Sequence, residues 1–199
     1  ARPVRSHMSD IRVVVAEDEA IIRMDLVEVL REEGYDVVAH TGRGDDAVAL
    51  VMEHRPDLAL LDVKMPGMTG IEAAREVTSS ADTAVVILTA FSQRELIHEA
   101  SVAGAMAYLV KPYQREDLVP AVELAIARRR EAAALRSELD AAEQRFEERK
   151  TIDRAKGKLI DEHSLSEGDA FTFLQRSAMS SRRRMIDVAH EVLAGDATP

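Results

Sequence analysis

Apolar residues in the first half of the chain fall into short runs, each followed by an amphipathic stretch. Ile11–Ala16, Asp36–His40, Leu58–Leu61, Ala84–Thr89 and Ala107–Val110 are too short for helices and read as strands. Most are continuous rather than alternating, as expected of strands buried on both faces of a parallel sheet. Between them, apolar positions recur at three- and four-residue spacing. Glu19–Glu33 carries Ile22, Leu26, Val29 and Leu30 and stops at Gly34. Asp45–His54 turns Ala47, Val48 and Val51 inward and is closed by Pro56. Ile71–Thr78 and Gln93–Ala103, the latter ending at Gly104, read as two further helices. The alternation predicts a five-stranded, doubly wound parallel α/β domain with helices on both faces.

Past Tyr113 the pattern changes. From Gln114 to about Lys150 there is no Gly, and Ala, Glu, Arg and Leu dominate, which predicts one long helix. Pro120 falls in its first turns, at the cost of a bend. Leu118, Ala121, Ala125, Arg128, Ala132, Leu135, Leu139, Ala142, Phe146 and Arg149 follow a weak heptad seam with two arginines in it, and Leu135–Phe146 reads either as a coiled-coil or dimer contact or as a single helix lying against its own domain. Arg128-Arg129-Arg130 reads as a solvated face or a C-cap. The tail divides into three helical pieces. The first has a stripe of Ile152, Ala155, Leu159 and Ile160. Ser166–Asp169 resembles a capping box ahead of Ala170, Leu174 and Ala178, and Met185, Val188, Ala189, Val192 and Leu193 form the third apolar face. The expected organisation is a tag remnant at 1–7 with Met8 as native start, an α/β domain at 8–127, a linker helix at 128–150, and a small three-helix all-α domain at 151–199.

The chemistry gathers where the strands end. Leu58–Leu61 runs into Asp62 and then Met-Pro-Gly, a loop signal, and the carboxyl end of a strand is where open α/β sheets place their sites. The first strand runs into Glu17 and Asp18, the fourth ends in Thr89, and the fifth in Lys111-Pro112. Three carboxylates on one rim repel unless a cation joins them, and oxygen donors favour Mg²⁺. A carboxylate beside such an ion, with Lys and Thr to hold phosphate oxygens, is equipped to accept a phosphoryl group. Met24, Met52 and Met68 read as gap-filling core or loop residues, and His40, His54 and His98 as surface.

Composition narrows the classes. Without cysteine there are no disulfides or thiolate metal sites, and no apolar run is long enough for a membrane span, so a cytoplasmic protein is expected. The net charge of −10 argues against a generic nucleic-acid binder, but the tail is nearly neutral with clustered cations. Arg182-Arg183-Arg184 stands at the expected start of the last helix, where the dipole disfavours cations unless a phosphate shares the place. Arg176, Arg154, Lys156 and Lys158 add charge, and Gly157 inside a helix points to close backbone approach. Phe171 and Phe173 lie about 200° apart on a helix of 3.6 residues per turn, so both cannot be core; the more exposed one can stack on a base.

The acidic pair, the Asp-x-x-Met-Pro-Gly segment, Thr89, Tyr108 and Lys111-Pro112 together resemble the response-regulator receiver domain over roughly Ile11–Arg128. The resemblance implies Asp62 as phosphoacceptor, Asp18 as direct Mg²⁺ ligand and Glu17, where the family more often has Asp, acting through water. It further implies a Lys64 backbone carbonyl on the metal, and Thr89, Lys111 and Tyr108 as phosphoryl-contacting and switch residues. Arg154-Ala-Lys-Gly-x-Leu159, Asp169-Ala-Phe171 and Arg176-x-Ala-Met179 followed by arginines resemble the ANTAR domain, an RNA-binding output of transcription antiterminators. That resemblance implies RNA contacts at Arg154, Lys156, Gly157, Arg176, Arg182, Arg183 and Arg184. The two in this order resemble the PdtaR-type antitermination regulators. Such a regulator takes its phosphoryl group from a sensor histidine kinase, dimerises when phosphorylated, binds hairpin RNA, and catalyses only its own phosphoryl transfer and dephosphorylation. Two other classes remain: a receiver with a DNA-binding or protein-interaction output, and a phosphatase using Asp62, which lacks any second general acid or base. Lys64 and Phe91 flank the expected path of the hydrolytic water, and neither can orient it, so slow dephosphorylation is expected.

Overall fold

The structure is a computed structural model that describes residues 11–90 and 94–199. The chain divides into two compact units, one ending at Ala133 and the other beginning at Ala134.

In the first unit β1 (Arg12–Ala16), β2 (Asp36–Thr41), β3 (Leu58–Asp62), β4 (Ala84–Thr89) and β5 (Ala107–Val110) form one parallel sheet in the order β2-β1-β3-β4-β5. Helices α1 (Ala20–Glu32), α2 (Gly44–His54), α3 (Gly70–Ser80), α4 (Arg94–Val102) and the start of α5 (Arg115–His163) connect and cover it. Every residue of β3 and β4 is buried, which is why their sequences are continuous apolar runs. Period-two alternation sends Val13, Val15, Leu58 and Leu60 to one core with Leu26, Leu30, Leu118, Val122 and Ile126. Val14, Ala59, Leu61, Val85 and Ile87 meet Val48, Val51, Ala74 and Val77 on the other face. Full burial of each large aliphatic side chain contributes roughly 1.5–3 kcal/mol.

Turn chemistry matches the pattern. Gly34 and Gly104 both take positive φ after α1 and α4. Thr69 and Glu72 form a reciprocal capping box at the start of α3. Gly70 is required by close approach, since a Cβ there would lie 2.1 Å from the carbonyl oxygen of Asp62.

The second unit packs the end of α5 with α6 (Glu167–Ser181) and α7 (Met185–Ala194) around Ala155, Leu159, Leu174, Val188 and Val192. The expected first piece of the tail is the continuation of α5, with no break near Lys150; the Thr151 hydroxyl donates to the Glu147 carbonyl one turn back. Leu135, Leu139 and Phe146 are exposed within this unit.

Two local expectations are corrected. Met24 is half exposed on α1, neither in the core nor on a loop. Of the arginine run, Arg128 and Arg130 are exposed as expected, with Arg128 Nη1 donating to the Met106 carbonyl at 2.6 Å, but Arg129 is largely buried and bridges Asp57 and Asp82. Gly157 has nothing of this chain within 4 Å of where its Cβ would stand, which leaves its backbone open to approach from outside.

Candidate functional site

Strand register assembles the rim. Ala16 pairs with Leu61, so Glu17 follows beside Asp62, the last residue of β3. Asp62 pairs with Leu88 and Thr89 with Val110, which carries Thr89 and then Lys111 to the same edge. With β1 between β2 and β3, connections leave in opposite directions at this point, the crevice where open α/β sheets bind ligands.

Glu17, Asp18 and Asp62 each offer a carboxylate oxygen, and these oxygens lie within 4.8 Å of one another. Glu17 is fully buried, Asp62 is buried and Asp18 is exposed. Lys111 Nζ stands 2.5 Å from Glu17 Oε2 and 2.8 Å from Asp62 Oδ1. Burial pushes Glu17 above the usual carboxylate range, and the Asp62 charge adds to it against the pull of Lys111. Asp62 is pushed up by burial and by Asp18, opposed by Lys111 and the Lys64 backbone N–H. Burial works against the Lys111 charge, but its hydrogen bonds with Asp62 and Glu17 outweigh it and raise its pKa. One ammonium facing three carboxylates leaves negative charge uncompensated. Hard, closely spaced oxygens with excess negative charge fit a hard divalent cation such as Mg²⁺.

Of the expected residues, Glu17, Asp18, Asp62 and Lys111 are thus brought together. Thr89 is buried at the end of β4 and its carbonyl accepts the Lys111 N–H at 2.7 Å. Lys64 reaches Asp62 through its backbone N–H, with its side chain exposed. Tyr108 is 46% exposed on β5, paired with Ile87 two residues before Thr89, and it does not join the carboxylates. Phe91 lies outside the described residues. Two residues escaped the sequence reading. Arg23 donates through Nη1 to the Glu17 carbonyl at 2.5 Å. The Tyr113 hydroxyl is buried without a hydrogen-bond partner among the described residues, and burial pushes it up to about 12.

In the second unit the expected cations separate into paired and unpaired groups. The arginine triplet is not the first turn of α7 but the turn before it. Arg182 caps α6 in the left-handed region (φ 53°), and Arg184 is the N-cap of α7. Arg183 pairs with Glu191 at 2.5 Å, and Arg184 with Asp187 at 3.3 Å and Glu148 at 3.4 Å, so carboxylates already ease the expected conflict with the helix dipole. Lys156 is held by Asp153 at 2.9 Å and Glu167 at 3.1 Å. Arg154, Arg176 and Arg182 are exposed and make no ion pair among the described residues. Phe173 packs on the core of this unit, whereas Phe171 is 43% exposed in a groove of ≈350 Å³ that also involves Arg149, Ile152, Lys156 and Met185.

Residues 13–123 match the model of the response regulator receiver domain, and residues 140–193 that of the ANTAR domain. The transcriptional regulatory protein PdtaR of Mycobacterium tuberculosis strain H37Rv is 53% identical over 188 residues, covering 94% of this chain and 92% of that protein. Chemotaxis protein CheY of Bacillus subtilis strain 168 is 34% identical over 112 residues, 56% of this chain and 93% of that protein. Among solved structures, the signal receiver domain of the putative response regulator NarL from M. tuberculosis superposes with a TM-score of 0.57 at 34% identity, covering 59% of this chain and 96% of that one.

Proposed function

The chain belongs to the response regulators that join a receiver domain to an ANTAR domain, and from that membership we propose that it accepts a phosphoryl group on Asp62 and controls transcription antitermination by binding hairpin RNA. The donor is a sensor histidine kinase in the cytoplasm. The observation that carries the reading is Asp62 itself: buried at a strand end, 2.8 Å from Lys111 and grouped with Glu17 and Asp18.

An Asp62 oxygen attacks the phosphorus of a phosphohistidine, the P–N bond breaks, and the departing imidazole leaves with its electron pair and takes up a proton. The product is an acyl phosphate. Glu17, Asp18 and Asp62, with the Lys64 carbonyl, would hold Mg²⁺, which would supply positive charge against the phosphoryl oxygens. Lys111 exchanges its pairing with Asp62 for a phosphoryl oxygen, and the Thr89 hydroxyl donates to another. Asp62 needs no base to remove a proton in the step, since the Lys111 ammonium at 2.8 Å favours its charged carboxylate. In the second unit, Arg154, Arg176 and Arg182 take phosphates, and Phe171 offers a stacking surface to an unpaired base of a hairpin loop. Phosphorylation favours a homodimer that presents two such units to paired hairpins.

Asp62→Asn replaces the nucleophilic carboxylate with a neutral amide and should abolish labelling by acetyl phosphate on Phos-tag gels; labelling at wild-type yield would refute the acceptor role. Competition in gel shifts between hairpin RNA and duplex DNA of equal charge tests the output, and preference for the duplex would refute it.

A further inference from the structure

Asp18 is the least supported of the three carboxylates. Glu17 and Asp62 are buried and share Lys111, whereas Asp18 is exposed and its side chain makes no hydrogen bond or ion pair among the described residues. Even so, its carboxylate lies within 4.8 Å of the other two. The backbone holds it there. Arg23, on α1, turns Nη1 back to donate to the Glu17 carbonyl at 2.5 Å and, more weakly, to the Asp18 carbonyl at 3.5 Å. Those oxygens belong to the peptide planes on either side of the Asp18 Cα. Peptides are planar, so fixing both fixes the direction in which the Asp18 Cα–Cβ bond leaves the backbone. From the other side, the Glu17 N–H donates to the Thr41 carbonyl at 3.0 Å. Gly42 leaves room for the guanidinium, because a Cβ there would stand 2.9 Å from Arg23 Nη1.

As a mere surface charge, Arg23 is badly placed. It lies four residues past the N-cap Glu19, at the positive end of the α1 dipole. It sits beside carboxylates that have to collect a divalent cation, and its Nε is buried without a hydrogen-bond partner among the described residues. Each of these opposes a cation that contributes nothing else. We infer that Arg23 is a positioning residue for divalent-cation binding: it clamps the Glu17 and Asp18 carbonyls so that the Asp18 carboxylate is preset toward the ion. The inference rests on Glu17, Asp18 and Asp62 being the Mg²⁺ site.

Charge and positioning predict opposite signs, which makes the test sharp. Deleting a nearby cation should, by Coulomb attraction alone, tighten Mg²⁺ binding. Loss of a positioning partner should weaken it, typically by about ten- to a hundredfold. Mg²⁺ is titrated calorimetrically into the unphosphorylated full chain, alongside melting in EDTA. Arg23→Ala should raise the Mg²⁺ Kd by at least about tenfold. Arg23→Lys, which reaches one carbonyl, should fall between it and wild type. Gly42→Ala keeps the charge but displaces the guanidinium, and should weaken binding as well; it carries the test if Arg23→Ala fails to fold. Unchanged or tighter binding by folded Arg23→Ala, or by Gly42→Ala, would overturn the inference even if melting falls. If wild type itself binds no Mg²⁺, or Asp18→Asn binds it equally well, the metal-site reading fails and takes this one with it.

Discussion

Arg129 Nη1 lies 2.8 Å from Asp57 Oδ1, joining α5 to the residue that leads into β3. The Nη2 of the same guanidinium reaches Asp82 Oδ2 at 3.0 Å, just before β4. Asp57 also accepts the Arg12 N–H at the start of β1. All of these contacts sit at the amino ends of the strands, the edge opposite Asp62. Apolar packing holds α5 along one face of the sheet, and Arg129 fixes it at this edge.

Arg129→Ala should therefore destabilise the first unit by about 1–2 kcal/mol, the scale of charge-assisted hydrogen bonds discounted for partial exposure. Arg130→Ala, exposed and without an ion pair among the described residues, should stay within about 0.5 kcal/mol of wild type. Urea unfolding of both variants checks this. Equal midpoints would mean that the bridge adds nothing beyond apolar packing.

The same cluster sets a pH dependence. Burial raises the Asp57 pKa, but the Arg12 N–H and the Arg129 guanidinium outweigh it and the net shift is downward. A folded-state value below the unfolded one gives stability that is present above the unfolded pKa, about 3.9, and is lost as pH falls through the folded value. The stability difference between wild type and Asp57→Asn should stay constant above about pH 5 and shrink below pH 4. Urea midpoints across that range give the curve, and a difference that grows on acidification would reverse the sign.

Much of this was legible in the chain because it follows from local pattern. Apolar run length gave all five strands, and the alternation with helices put Glu17, Asp62, Thr89 and Lys111 on one edge before any coordinates. What escaped depends on partners that leave no mark on neighbouring residues. Arg23 is aimed at backbone carbonyls, which every residue type carries; its only signal is a cation in the first turns of a helix. Arg129 reads like either flanking arginine until Asp57 and Asp82, 72 and 47 residues earlier, are brought beside it. Gly157, costing about 1 kcal/mol in a helix, lowers local propensity, yet α5 runs through it because Ala155 and Leu159 are anchored in a core. The arginine triplet looked like a helix start because nothing in its composition shows that Arg182 takes a left-handed turn usually left to Gly or Asn.

That placement revises which arginines should matter for RNA. Arg183 and Arg184 already hold carboxylates, so a phosphate would have to displace them, while Arg176 and Arg182 are unpaired among the described residues. Arg176→Ala and Arg182→Asn should each weaken hairpin binding more than Arg183→Ala does. Each should lower the salt slope by roughly 0.7–0.9 per lost phosphate contact. Asn is chosen at 182 because it tolerates positive φ, so any loss reports charge rather than strain. Filter binding across a salt series measures it, and equal losses at all three positions would indicate diffuse attraction.

The last prediction concerns Lys111, which faces both buried carboxylates. In Lys111→Met, Glu17 and Asp62 lose the ammonium at 2.5 and 2.8 Å while Asp18 remains nearby. Two consequences follow from charge. In EDTA the variant should melt several degrees lower than wild type, because burying uncompensated like charges is costly. Added Mg²⁺ should then raise its melting temperature more than it raises that of wild type, since the ion now supplies the compensation that the lysine had given and binds more tightly. A ligand present at a hundredfold above its Kd stabilises by about 2.7 kcal/mol, so a tenfold gain in affinity at fixed Mg²⁺ is readily seen as an extra shift. Phosphorylation should still fail to produce the regulated state, because no ammonium remains to take the phosphoryl oxygen. Thermal melts with and without Mg²⁺ on wild type, Lys111→Met and Asp18→Asn separate the cases. Asp18→Asn should lose the Mg²⁺ response that Lys111→Met exaggerates. Identical Mg²⁺ shifts in wild type and Lys111→Met would show that the lysine and the ion do not compensate the same charge.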